Sequence, residues 1–241
     1  SNDLCSLKPS VDRLAFSVLF VLNKQAKVLS YEIKKTIIHS DKRFTYESAK
    51  KVLKSKSGSF VKELVFLNST AKTLRKKRMA AGSINFENPE IKFILDKENN
   101  PIDILVKHSS ETNHLIEEFM LLANKTIAKH INKKLPSFVF RVHDKPDDKK
   151  LHSLSSIAKG FGHSFFSNKH GFSSSSLNSL LKKTKGKKEQ SLVETLLLRS
   201  MSKAKYTTKN IGHYGLGFPF YTHFTSPIRR YPDLIVHRLL S

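Results

Sequence analysis

The spacing of apolar residues along this chain changes several times, and each change marks an element. Val, Ile, Leu and Phe crowd Arg13–Asn23 and Val28–Ser40, on either side of a short break through Asn23-Lys24-Gln25-Ala26-Lys27. Such runs about a polar turn predict a β-hairpin. Thr45 is placed to cap a short helix reaching about Lys54. Phe60, Leu64, Leu67, Ala71 and Leu74 then fall at helical spacing and predict a helix over Ser59–Arg78, broken by Gly82. Two strands are predicted at Ile91–Asp96 and Ile102–Val106, about a turn containing Glu98-Asn99-Asn100-Pro101. Ser109 or Ser110 opens the most strongly periodic helix, to about Asn132. Phe138–Val142 reads as a strand, and Pro146 with Asp147-Asp148 opens a helix to about Gly160. Gly162–Gly171 and Ser173–Ser176 read as loop, followed by helices near Leu177–Lys183 and Leu192–Lys203. Tyr206–Phe224 carries glycines and aromatics without a period, and Ser226–Leu240 reads as the last helix. There is no internal repeat and no regular βαβ alternation, so the expected fold is α+β, with mixed helices and antiparallel strands.

Composition narrows the partner. The 241 residues, 39% hydrophobic, suffice for one sizeable core or two small ones. Lys+Arg number 43 against 20 Asp+Glu, a formal net charge of +23. A field of that sign favours a polyanion, either nucleic acid or an anionic membrane. Runs such as Lys182-Lys183, Lys185 and Lys187-Lys188 are equally those of a solvated basic surface. The longest apolar run, near Leu14–Leu22, is far too short to span a bilayer, so no membrane partner is expected. A single cysteine, Cys5, forms no internal disulfide and fits a reducing, cytoplasmic setting. No Cys/His group has zinc spacing. The Arg75-Lys76-Lys77-Arg78 run places four cations where the helix macrodipole favours them, which accounts for the run without a nucleic-acid contact. The first residue is not Met and the chain stops within a helical pattern, so a fragment of a longer protein is expected.

The most informative segment runs from His213 to Arg238, HYGLGFPFYTHFTSPIRRYPDLIVHR. Ser226 followed by Pro227 reads as a hydroxyl cap with proline at the first helical position. Ile228, Tyr231, Ile235 and Leu239 would form the apolar stripe. Arg229 and Arg230 would then occupy the first turn, where cations cost about 0.3–1 kcal/mol each. A local rule broken in this way points to an anion, and backbone N–H groups with a guanidinium fork suit a phosphate. The competing reading is an Arg229–Asp233 pair on a solvated face.

TSPIRRYPDLIVHR, preceded by HYGLG and YTHF, closely resembles the signature of the ribonuclease II / ribonuclease R family, the RNB catalytic domain, in its ribonuclease R-like form. SNDLCSLKPSVDRLAFSV, KTIIHSDKRFTYESA, AAGSINFENPEIKF and TNHLIEEFMLLAN resemble further family segments in the family's order, whereas 149–190 carries no recognisable likeness. The resemblance implies that 1–241 is the C-terminal part of the domain. It implies Mg²⁺-dependent 3′→5′ hydrolysis of single-stranded RNA to nucleoside 5′-monophosphates, by a monomer. The family's D-x5-D-x-D-D metal cluster lies before the Cys-Ser-Leu segment, so the Mg²⁺ ligands, like the cold-shock and S1 domains, are expected outside this chain, which alone would be inactive.

By the same resemblance, Arg229 is the catalytic arginine beside the scissile phosphodiester. A glutamate of the Ile-Glu-Glu helix contacts the 3′-terminal nucleotide. Periodicity places Glu117 and Glu118 at the two margins of the buried face and does not choose between them; the family's spacing favours Glu117. Phe86, in Gly82-Ser-Ile-Asn-Phe, matches an aromatic that stacks on terminal bases, although one of 17 phenylalanines is also an ordinary core residue. Tyr221, His223, Thr225, Ser226 and Arg230 are further candidates for contacting RNA. Two other readings stand beside this one: a catalytically inactive RNA-binding relative, and a basic RNA-binding protein of ribosomal type. The latter gives no reason for paired arginines at a capped helix start.

Overall fold

The computed structural model describes residues 5–86, 90–107, 109–165 and 171–241. Residues 166–170 of the expected 162–171 loop and the first four residues of the chain fall outside them. The α+β expectation holds. Among the described residues the strands pair as three separate two-stranded antiparallel sheets, and the helices pack between and around them.

The first hairpin joins β1 (Asp12–Leu22) to β2 (Val28–His39), with Phe16 opposite Lys35 and Val18 opposite Ile33. Asn23 makes its turn: the side-chain Oδ1 accepts from the backbone N–H of Gln25 and Lys27, the local hydrogen bonding for which Asn is favoured in turns. Helix α1 (Tyr46–Ser55) starts in a reciprocal capping box between Thr45 and Ser48. Helix α2 (Val61–Ala80) follows, then the second hairpin, β3 (Glu90–Leu95) with β4 (Pro101–Lys107). Helix α3 (Glu111–Asn132), capped at Ser110, packs along α2.

The third strand pair brings distant residues together. Strand β5 (Phe140–Val142) pairs with β6 (Lys205–Thr207), Phe140 opposite Thr207. Between them the chain makes an excursion through three helices, α4 (Asp148–Gly160), α5 (Ser174–Thr184) and α6 (Gln190–Ser200). Asp147 caps α4. Ser173, expected in loop, caps α5 by accepting from the Ser176 N–H, so the serine run is a helix start. After β6 a single 3-10 turn (Tyr214–Leu216) precedes α7 (Tyr231–Leu240).

Three apolar clusters result. One belongs to the excursion and includes Leu151, Leu154, Leu177, Val193 and Leu197, with Ile84 reaching in from outside. A second sets Ile127 and Ile131 of α3 against Phe138, Phe140, Phe224 and Val236. A third joins Leu74 of α2 to Leu122 of α3. Among the described residues no helix is long and apolar enough to cross a membrane.

Helix α7 differs from its expectation in start and in face. Ser226 and Pro227 do not begin it. The helix starts five residues later, with Arg230 at the cap and Pro232 in its first turn. Its buried side chains are Asp233 and Val236, with Leu240 packed against the second cluster. Ile228 and Tyr231, expected to hold it to the core, are 63% and 69% exposed. The cause is tertiary: Asp233 is held inside by partners before the helix, which rotates the apolar face by about a hundred degrees per residue shifted.

Candidate RNA-contacting site

Asp233 organises the loop that carries the expected catalytic arginine. The side chain is fully buried, and its Oδ2 accepts from the Ser226 backbone N–H at 2.8 Å and from Arg230 Nε and Nη2 at 3.1 and 2.8 Å. Its Oδ1 has no hydrogen-bond partner among the described residues. Ser226–Arg230 therefore closes as a tight turn, with the N–H groups of Arg229 and Arg230 both donating to the Ser226 carbonyl. Arg230, not Arg229, takes the carboxylate, so the competing reading of an Arg229–Asp233 pair is not realised. Arg229 is exposed, and its side chain makes no hydrogen bond or ion pair among the described residues. It stands at the tip of a turn before the helix rather than inside its first turn. Thr225 is exposed at the head of that turn.

A strip of rings leads away from the turn. Tyr206 Oη lies 2.6 Å from His223 Nδ1, and the Arg141 guanidinium covers the Tyr206 ring at 4.6 Å. Tyr221 packs edge-on between His213 and His223, with centroids 5.2 and 5.5 Å away. Tyr221 is only 4% exposed, and its hydroxyl accepts from Asn124 Nδ2. It is thus a packed wall with no free ring face for a base. Burial, then the Arg230 guanidinium, push the His223 pKa down to about 4, with Arg141 and Arg229 adding to the effect against Asp233. His223 is neutral near pH 7, and the charge around it comes from Arg141, Arg229 and Arg230 against one aspartate. That balance attracts anions.

The strip continues into a cavity of about 620 Å³ lined by Phe86, His143, His213, Arg199 and Lys203 among others. Burial and then His143 lower the His213 pKa to about 3. His143 Nδ1 accepts the Gly215 N–H at 2.9 Å, while Nε2 faces the Ser202 carbonyl at 2.7 Å and so carries the proton. Phe86 is half-buried, one side against the excursion's core and one on this cavity. Both the core and the platform reading of that phenylalanine describe part of its surface.

The two glutamates part company in the structure. Glu118 is 3% exposed and Glu117 36%. Arg78, itself 6% exposed, holds Glu118 through Nε and Nη2 and also reaches Glu117 Oε1 at 2.8 Å. Arg75 lies beside both. Glu117 is therefore the glutamate with an accessible edge. The Arg75–Arg78 run is more than a macrodipole complement: Arg78 points inward, with Ala71 and Leu74, on the buried face of α2.

The structure thus gathers Tyr221, His223, Ser226, Arg229 and Arg230 about one turn. It places Glu117 and Phe86 on a second network, and the His213–Tyr221 contact runs between the two regions. Asp233, Arg141, Tyr206, His143, His213, Arg75 and Arg78 were not among the site residues expected from the sequence. Two of them had a signal. Ala71, Leu74 and Arg78, like Asp233, Val236 and Leu240, are spaced i, i+3, i+7, the mark of one helix face.

A family model described as RNB domain matches residues 1–241. The chain belongs to the RNB family. It is 39% identical over 248 residues to a Ribonuclease R of Thermotoga maritima and 37% identical over 247 residues to that of Aquifex aeolicus. Both matches cover 100% of this chain but 35% of the relative, so the RNB chain spans about a third of their length. Among solved structures, Mycoplasma genitalium RNase R in complex with ribose-methylated single-stranded RNA superposes with a TM-score of 0.91 at 31% identity, covering 100% of this chain and 38% of that one. Yeast Ssd1, a pseudonuclease, shares the fold at a TM-score of 0.75 and 23% identity, covering 99% and 30%. Within the RNB chain, no group of three His, Cys, Asp or Glu among the described residues could hold a metal ion. These residues do not supply the Mg²⁺ site that the family resemblance implies.

Proposed function

We propose that this chain is the RNA-gripping part of a 3′→5′ exoribonuclease. The whole protein, on this reading, hydrolyses single-stranded RNA to nucleoside 5′-monophosphates as a cytoplasmic monomer with Mg²⁺. The aspartates for that ion lie outside the described residues, and nothing argued for the residues below runs through it. The observation that carries the reading is Arg229: an exposed guanidinium, without a partner among the described residues, on a turn pinned by a buried carboxylate. A side chain that none of the described residues bonds, held at a fixed backbone position, suits an external anion, here the phosphate being cleaved. Its fork would stabilise charge that grows on the phosphoryl oxygens. Glu117 and the Phe86 ring would hold the terminal nucleotide, the ring by stacking on any base.

The test uses the full-length protein with Mg²⁺ and a 5′-labelled single strand. Arg229→Ala is expected to cut kcat by about 10²–10³-fold, the cost of losing one preorganised stabilising group, with little change in RNA affinity. Arg229→Lys should recover little, because the planar fork is lost. Equal losses in affinity and turnover would remove the assigned role. The second reading is an inactive RNA-binding relative, favoured by the occurrence of this fold in a pseudonuclease. It predicts tight binding with no release of mononucleotides by the wild-type protein.

A further inference from the structure

Phe86 and Glu117 lie on different elements, yet one guanidinium binds both of their supports. Arg78 Nη1 donates to Ser83 Oγ at 2.8 Å, three residues before Phe86. Nη2 donates to Glu117 Oε1 and Glu118 Oε1, and Nε to both oxygens of Glu118. Arg75 repeats the bridge one turn earlier, with Nη2 on Asn85 Oδ1 at 2.9 Å and Nη1 beside Glu117 Oε2 at 3.5 Å. The Ser83–Asn85 backbone is held from two further sides. Asn178 of α5 donates to the Ser83 carbonyl and accepts from the Asn85 N–H. The Gly215 carbonyl accepts from the Ile84 N–H and from Ser83 Oγ.

Stability alone does not explain this arrangement. Buried ion pairs gain little over apolar packing, and Glu118 occupies only Nε and Nη2, so the remaining donors of the fork could have been spent on any nearby acceptor. The fork instead spends a donor on Glu117, which is accessible, and another on the loop of the stacking ring. We propose that Arg78, assisted by Arg75, is a positioning residue for the RNA end: it fixes the Glu117 carboxylate and the Phe86-bearing segment as one unit. A lysine carries the charge but cannot address three groups in a plane. The inference rests on the reading that Glu117 and Phe86 meet the terminal nucleotide. Misplacing such a nucleotide by about 1 Å costs up to about 10²-fold in rate.

The experiment compares Arg78→Lys, Arg75→Gln, Glu117→Gln and Phe86→Ala in the full-length protein. The substrate is a long single strand carrying 2-aminopurine either at its 3′ end or at an internal position. Arg78→Lys is expected to lower kcat by about 10- to 100-fold, while affinity, set by backbone contacts along the strand, stays near wild type. Quenching of the 3′-terminal fluorophore by stacking should weaken, and quenching at the internal position should not. Arg75→Gln should shift both readouts in the same direction by less. If Arg78→Lys melts earlier but keeps wild-type kcat per folded molecule and wild-type quenching, Arg78 is structural and the inference is overturned. Should Arg78→Lys fail to fold, unchanged kcat and quenching in Arg75→Gln overturn it equally. If Glu117→Gln and Phe86→Ala themselves change neither readout, the reading of the RNA end fails as well. Loss of the terminal signal in those two variants but not in the arginine variants sinks only the positioning role.

Discussion

At the scale of single residues, the site is arranged by which charges are already spoken for. Arg229 and Arg230 are neighbours, but Asp233 takes only Arg230 and, with the Ser226 N–H, sets the turn between them. Asp233→Ala would leave that guanidinium and the backbone donor without their acceptor, and such breakage costs about 3–5 kcal/mol. Denaturant titration of the variant should show the loss, and an effect under about 1 kcal/mol would mean the clamp is not formed. The two most strongly depressed histidines make a pH prediction. His213 and His223 titrate in the fold near 3 and 4 but ordinarily near 6.5. Below pH 6.5 the unfolded chain therefore takes up protons that the folded chain refuses, and stability falls from there toward pH 4. Above 6.5 these groups add no pH dependence. The lowered carboxyls of Glu111 and Glu189, ordinarily near 4.5, add their losses only below that pH. His213→Gln should flatten the decline in melting temperature between pH 6.5 and 5; an identical slope in variant and wild type would contradict the buried, neutral imidazole.

At the scale of elements, local signals were mostly legible where the cause was local, the Ser173 cap read as loop being the exception. The Asn23 turn, the Thr45 and Asp147 caps and the long period of α3 all follow from neighbours in sequence. The start of α7 did not, because Ser226-Pro227 carries a genuine cap pattern that a buried aspartate seven residues on overrides. Strand β6 is three residues long and owes its existence to a partner more than sixty positions away. Glu117 and Glu118 look alike from periodicity, and only Arg78, on another helix, separates them. The family resemblance named Arg229, Glu117 and Phe86 but is silent on 149–190, from which Asn178 reaches the Ser83–Asn85 segment. The glycines of the 3-10 turn are likewise explained by contact. Gly217 has φ +65°, and a Cβ there would lie 3.0–3.2 Å from backbone atoms of Ala81–Ser83. Gly217→Ala should destabilise by about 1–3 kcal/mol, as overpacked sites do, and should weaken turnover by moving the Phe86 loop. A neutral substitution by both measures would mean the two segments do not abut.

At the scale of the whole molecule, charge and exposed apolar surface each make a demand. With a net charge of +23, RNA binding should weaken steeply with salt. About five phosphate contacts would give a slope of log K against log salt near −3.5 for a single strand. A flat response would mean that the lysines merely coat the surface. The β3–β4 hairpin shows the second demand. Cross-strand partners share a face, so Ile91 with Val106 and Phe93 with Ile104 line one side, and all four are exposed. A two-stranded ribbon with such a face is marginal in water and prone to associate. In the 241-residue chain alone, Phe93→Thr with Ile104→Thr should raise solubility and reduce binding of an apolar dye without lowering the melting temperature. A lowered melting temperature would show that the face is covered from within.

Because β5 and β6 lie side by side, the polypeptide leaves for its three-helix detour and comes back through a single doorway. Extra residues spliced into the Lys185–Lys188 bend at the far end would lengthen the detour without disturbing that doorway. Cutting the detour out and rejoining the strands would also delete Asn178. The region should therefore accept an inserted tag or reporter, as chain ends that meet usually do, yet refuse to be trimmed away.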